Sequence, residues 1–142
     1  MSSTSSLGPL EAYIGTWSGT GIDTVPDGHG GSTNTPFLQQ ITLDPIAKLG
    51  YGSQEVTALA YTCLDWATDE TADPATLFPV YEERGYWIWV ESQGQVIIQV
   101  SNPRGLSMMA VGAFESNGGF SARGMMDENG AGVLVSNYLT TV

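Results

Sequence analysis

One imidazole, one thiol and four cations are the scarce reactive groups of this chain: His29, Cys63, Lys48, Arg84, Arg104 and Arg123. His29 stands between Gly28 and Gly30. A Ser-His-Asp relay needs an imidazole held firmly by its neighbours, so a solvated loop histidine is the plainer reading. One Cys and one His fall short of a structural zinc site. Asp65, Asp69, Glu70 and Asp73 miss the spacing of an EF-hand calcium loop and read as a solvated acidic loop. The glycines near residue 20 are followed by no helix, and so make no phosphate-binding turn. The sequence offers no catalytic residue and no metal ligand.

The arginines are more informative. Arg84 and Arg104 lie in or beside strands of a chain that otherwise avoids cations. Inside a barrel, a guanidinium can fork onto a ligand carboxylate or propionate; a salt bridge to Glu82 or Glu83 is the plainer alternative. Met108, Met109, Met125 and Met126 suit an adaptable apolar pocket or ordinary core. Trp87 and Trp89 suit a ligand wall or packing. The ligand-binding residues expected on this reading are Trp17, Gln40, Tyr86, Trp87, Arg104 and Met108.

Charge narrows the partners. Fifteen acids against four cations give a net charge of −11, which leaves no basic stripe for nucleic acid and disfavours anionic membranes. No apolar run approaches the ~20 residues of a membrane helix. A lone cysteine excludes an intrachain disulfide, and Met1 to Ser6 have neither the positive flank nor the apolar core of a signal peptide. A cytoplasmic protein is expected, with residues 1–6 a disordered tail and 7–142 one domain.

These side chains must be carried by strands. Glycine is abundant, and 42% of residues are hydrophobic against 13% charged, a balance of strands and tight turns that excludes disorder. Pro9 suits the first turn of a short helix, with Leu10, Tyr13 and Ile14 on one face. Strands are predicted over 15–22, 37–46, 53–66, 80–91, 95–101, 106–115, 119–126 and 132–141. Loops are predicted over 23–36 and 67–79, and turns at 92–94, 102–105, 117–118 and 129–130. Tyr81, Trp87 and Trp89 fall on one face of their strand, Tyr86 and Ile88 on the other. No helix is long enough for a parallel crossover. About eight antiparallel strands in up-and-down order hide their edges by closing, which predicts an all-β barrel with a short N-terminal helix.

The first strand is the distinctive one. Gly15, Trp17, Gly19 and Gly21 share a face, which places one indole on an otherwise bare backbone and calls for a packed neighbour. With the short helix just before it, Trp17 is expected to plug one end of the barrel. As a core residue its truncation to Ala would cost about 3–5 kcal/mol.

GTWSGTG resembles the Gly-x-Trp-x-Gly-x-Gly signature of nitrobindin-like, fatty-acid-binding-protein-like heme-binding β-barrels. LGPLEAYIGTW, FLQQITLDPI and EERGYWIWVESQGQVIIQVSNPRGLSMMAVG extend the similarity over residues 7–115 and, more loosely, beyond. The resemblance implies a calycin-type barrel whose cavity takes heme b, another tetrapyrrole or a fatty-acid-like molecule, and it assigns the signature to Gly15, Trp17, Gly19 and Gly21. Relatives ligate the heme iron through a His in a His-Thr-Asp-Arg-Asn-like segment of the last strand. No such segment occurs here, and His29 does not align with it. Ligand binding is therefore expected ahead of the family's peroxynitrite isomerisation. A barrel truncated at its C-terminal side would leave an exposed edge open to a second copy or another chain.

Overall fold

Alternation along the strands, broken by glycine and proline at the turns, produces one long antiparallel meander. The computed structural model describes residues 7–47, 49–51, 54–69, 76–124 and 133–135. Its strands are β1 (Gly15–Pro26), β2 (Ser32–Pro45), β3 (Leu49–Tyr51), β4 (Gln54–Val56), β5 (Ala58–Asp69), β6 (Thr76–Val90), β7 (Gln95–Asn102), β8 (Leu106–Phe114), β9 (Phe120–Arg123) and β10 (Val133–Val135). Eight form one sheet in the order β1, β2, β5, β6, β7, β8, with β9 and β10 sharing the far edge of β8. β3 and β4 form a separate hairpin between β2 and β5. The all-β antiparallel expectation holds, with eight strands in the main sheet; its up-and-down order runs as far as β8, where β9 and β10 both return to the same strand, and the sheet curls into half a barrel.

Register assigns the two faces. Gly15, Leu43, Tyr61, Gly85, Val100 and Met108 lie opposite one another across six strands. Leu59, Trp87, Ile98 and Ala110 form the next row. This face holds the core: Leu43, Leu59 and Val96 are fully buried, as is Leu10 of the 3-10 helix Gly8–Tyr13. It is the concave face. A Cβ on Gly85 would overlap the backbone carbonyl of Gln99, and one on Gly112 that of Ser121, because the neighbouring strand folds over toward this side. Glycine at these corners lets the sheet bend.

The short helix departs from expectation in one respect. With three residues per turn, i and i+3 eclipse, so Leu7, Leu10 and Tyr13 align. Leu7 and Leu10 are buried and Tyr13 packs against the core, while Ile14 stays 38% exposed. Tyr13 meets Trp87 and Phe120 edge-on at 5.7 Å each, and its hydroxyl donates to the Gly118 carbonyl at 2.9 Å. The helix thereby ties the start of the chain to the β8–β9 turn.

Three other boundaries move. The expected loop 23–36 is mostly hairpin: β1 and β2 stay paired to Pro26 and Ser32, leaving only 27–31 as a turn. Pro36 is tolerated because β2 pairs with β5 only from Leu38 onward, so the hairpin tip is two-stranded and needs no further donor. The expected strand 53–66 is β4 and β5, separated at Thr57. β5 and β6 reach Asp69 and Thr76, well into the expected loop 67–79, with an irregularity in register between Asp65 and Trp66 that leaves Val80 unmatched. Residues 70–75, the expected turn at 129–130 and most of the strand 132–141 lie outside the described residues.

The plug expectation for Trp17 is corrected. Trp17 is 51% exposed, its Nε1 donating to the Tyr13 carbonyl at 2.9 Å. β1 is an edge of the half-barrel, and the row that would bury Trp17 from the other side is absent among the described residues. A close neighbour covers the signature backbone only at Gly21, where a Cβ would overlap the Phe37 ring; Gly15 and Glycine 19 face open space.

Candidate functional site

Beyond the apolar core, the same concave face turns polar. Tyr61, Cys63 and Asp65 alternate inward along β5, and Tyr81 and Glu83 do so on β6 (Cys63 is in register with Glu83 and Asp65 with Tyr81). Glu83 is the hub. Its Oε1 accepts from the Tyr61 hydroxyl at 2.7 Å and its Oε2 from the Tyr81 hydroxyl at 2.6 Å. Asn102 Nδ2 donates to the Tyr81 oxygen at 3.2 Å. The Asn102 Oδ1 accepts from the backbone N–H of Arg104 at 3.0 Å and of Leu106 at 3.4 Å, so one side chain shapes the β7–β8 turn and steadies Tyr81. Cys63 and Asp65 are both buried, and the thiol makes a long contact to Asp65 Oδ1 at 3.8 Å.

Burial sets the protonation of this cluster. Tyr61 is pushed far above the ordinary phenol range, first by desolvation and then by its bond to Glu83. Tyr81 is pushed up to about 12 by desolvation and the same carboxylate. Cys63 is pushed up to about 11, chiefly by desolvation. At neutral pH the two phenols and the thiol keep their protons and act as donors. Trp87 stacks on Tyr61 at 5.7 Å and 19°; its buried Nε1 lacks a hydrogen-bond partner within a cluster that includes the Phe120 ring at 5.4 Å, near-perpendicular.

The residues expected to bind ligand divide between places. Trp17, Trp87 and Met108 are on the concave face: Trp17 on its open side, Trp87 and Met108 packed against the core. Gln40, in register with Leu64, and Tyr86, in register with Gln99, belong to the opposite face. There an open groove of about 660 Å³ runs past Thr62, Arg84, Tyr86, Ser101 and Met109. Arg104 lies in the β7–β8 turn, over a recess of about 100 Å³ beside Tyr81 and Asn102. Arg84 settles one open alternative: its Nε pairs with Glu82 Oε1 at 2.8 Å, the Arg84 side chain mostly exposed and the Glu82 side chain partly so. Adjacent glutamates thus serve opposite faces, Glu82 outside and Glu83 inside. His29 is at the exposed tip of the β1–β2 hairpin, its backbone N–H bonded to Asp27 Oδ1 at 2.7 Å.

The Tyr61, Tyr81, Glu83 and Asn102 network was not anticipated from the sequence. Its signal is the alternation Tyr-x-Cys-x-Asp on β5 opposite Tyr-x-Glu on β6. Among the described residues, no group of three His, Cys, Asp or Glu side chains is arranged to hold a metal ion, and no helix is long and apolar enough to cross a membrane.

With this geometry in place, the comparisons with known proteins are specific. A family model described as a THAP4-like, heme-binding β-barrel domain matches residues 6–129. A peroxynitrite isomerase of Streptomyces griseus subsp. griseus is 33% identical over 113 residues, covering 75% of this chain and 50% of that protein. The chain thus spans about half the length of the curated relative it matches. No solved structure matches.

Proposed function

The chain belongs to the THAP4-like, heme-binding β-barrel family, and on that premise we propose that it binds a small hydrophobic ligand of the tetrapyrrole class on its concave face. The observation that carries this reading is the composition of that face. Ile41, Val100 and Met108 offer apolar contact beside the polar Tyr61, Tyr81 and Glu83, the mixture expected of a small-molecule site. Trp17 and Gln39 line its open side in register with Ile41 and Asp65.

Whether these residues suit heme itself depends on iron and propionates. Ile41, Val100 and Met108 would supply apolar contact to the body of a porphyrin. The face offers no imidazole: His29, the chain's one histidine, is at the hairpin tip. Tyr61 and Tyr81 are engaged with Glu83, and Cys63 stays a thiol at neutral pH. The residues would hold a tetrapyrrole through apolar contact, without histidine ligation of its iron on this face. Binding without turnover is the function proposed. Titration with hemin and with a fluorescent fatty-acid probe tests it, and saturable one-to-one binding to neither would overturn it.

The relative's name supports a second reading, peroxynitrite isomerisation. It requires an axial iron ligand. A histidine-type heme spectrum lost in His29→Ala would establish His29 in that role, and an unchanged spectrum would exclude it. We also take 7–142 as one domain in a reducing compartment, the cytoplasm, which suits a buried free thiol, and we take the β1 edge as open to a second copy of the chain.

A further inference from the structure

We propose that the concave face selects hydrophobic molecules whose polar end donates hydrogen bonds or carries positive charge, an alkylamine rather than a carboxylate. This rests on the ligand-binding reading above and narrows it to a ligand class.

The selection follows from hydrogen-bond valence. Both phenol protons are already spent on Glu83, the Cys63 thiol faces Asp65, and one Asn102 N–H is given to Tyr81. The capacity left around Glu83 is chiefly acceptor, carboxylate lone pairs and the outer lone pairs of two phenols; the unpartnered Trp87 Nε1 of this face is buried among the Tyr13, Tyr61 and Phe120 rings. Gln39, in register with Asp65, can donate or accept and biases neither. Charge points the same way. Asp65 and Glu83 are on this face, and the described arginines are not. Arg84 and Arg123 are on the opposite face, in register with Thr62 and Val111, and Arg104 is in the exposed β7–β8 turn. A carboxylate brought against Glu83 would meet like charge, and Arg104, over the recess beside Tyr81 and Asn102, lies in the exposed turn rather than on this face, whereas an ammonium would form a charge-assisted bond. A porphyrin could be accommodated only with its propionates turned away from Glu83, toward solvent.

The test uses the intact chain, with tryptophan fluorescence read against hemin, dodecylamine and dodecanoate at a salt concentration that screens the overall negative charge. The amine is expected to bind roughly tenfold or more tightly than the carboxylate of equal length. Glu83→Gln should collapse that ratio, and Glu82→Gln, which removes the same charge from the other face, should leave it. Tyr81→Phe removes a donor from Glu83 while keeping its charge, and should keep or increase the preference; this variant decides the matter if Glu83→Gln fails to fold. Equal affinities for amine and carboxylate, or equal effects of the two glutamate changes, would overturn the selectivity. Hemin bound without an amine preference leaves the ligand-binding reading standing and removes only this inference. Binding of none of the three probes removes both.

Discussion

At the scale of single residues, exposure decides what each aromatic and apolar side chain contributes. Trp17 carries the sequence signature, yet half its surface meets solvent. Truncating it to Ala should cost about 1 kcal/mol, the worth of its bond to the Tyr13 carbonyl. Leu59 is fully buried between β2 and β6, so Leu59→Ala should cost about 2–5 kcal/mol. Denaturant unfolding of the two variants checks the order, and a reversed order would restore Trp17 to the core. Protonation adds a second residue-scale expectation. Cys63 and Tyr81 have values pushed up to about 11 and about 12 from ordinary values near 9 and 10. The folded chain therefore holds these protons where the unfolded chain has released them. Their contribution to stability is complete below about pH 9 and is lost as pH rises through 12. Urea midpoints should fall across that window, and Tyr81→Phe should make the fall shallower. In the same vein, the Cys63 thiol should react with a thiol reagent at pH 8 far more slowly in the folded chain than in urea.

At the scale of elements, bends matter more than strand propensity. Gly85 lies between Tyr61 and Val100 in the central row, where the fold leaves no room for a side chain. Gly85→Ala should destabilise by about 1–3 kcal/mol through backbone displacement, whereas the same change at Gly19, which faces open space, should cost little. Equal unfolding midpoints for the two would mean that the corner at Gly85 yields easily. The hairpins after residue 80 were legible because Gly94, Gly105 and Gly118 adopt positive φ at their turns, as local turn chemistry predicts. The long β1–β2 hairpin was not legible. Pro26, Gly28, Gly30, Gly31 and Pro36 read as a loop, and only the pairing down to Pro26 with Ser32 shows how far the ladder extends. The site was legible only in part for the same reason. Alternation assigned Trp87 and Tyr86 to opposite faces, but joining Tyr61 to Glu83, 22 positions apart, needs the register between two strands. Local pattern cannot supply that register.

At the scale of the whole molecule, the open half-barrel and the net charge act against each other. β1 pairs with β2 along all twelve of its residues, and its other edge is uncovered among the described residues. Trp17 and Ile22 are 51% and 66% exposed on this strand. A long, exposed, partly apolar edge free of Lys is the kind that recruits another strand, and β1 contains no cation to blunt it. The chain's charge of −11 opposes the approach of a second copy. That repulsion is long-range and screened, with a Debye length of about 10 Å at 0.1 M salt and about 3 Å at 1 M; strand pairing and apolar contact are short-range and survive salt. The chain should therefore sediment as a monomer at low ionic strength and associate increasingly as salt is raised, in a concentration-dependent manner. Ser18→Lys places a charge in the middle of β1 and should suppress the association without altering the fold monitored by circular dichroism. A chain that stays monomeric in 1 M salt over a wide concentration range would show that the β1 edge is covered or too twisted to pair, and the second-copy reading would fall with it.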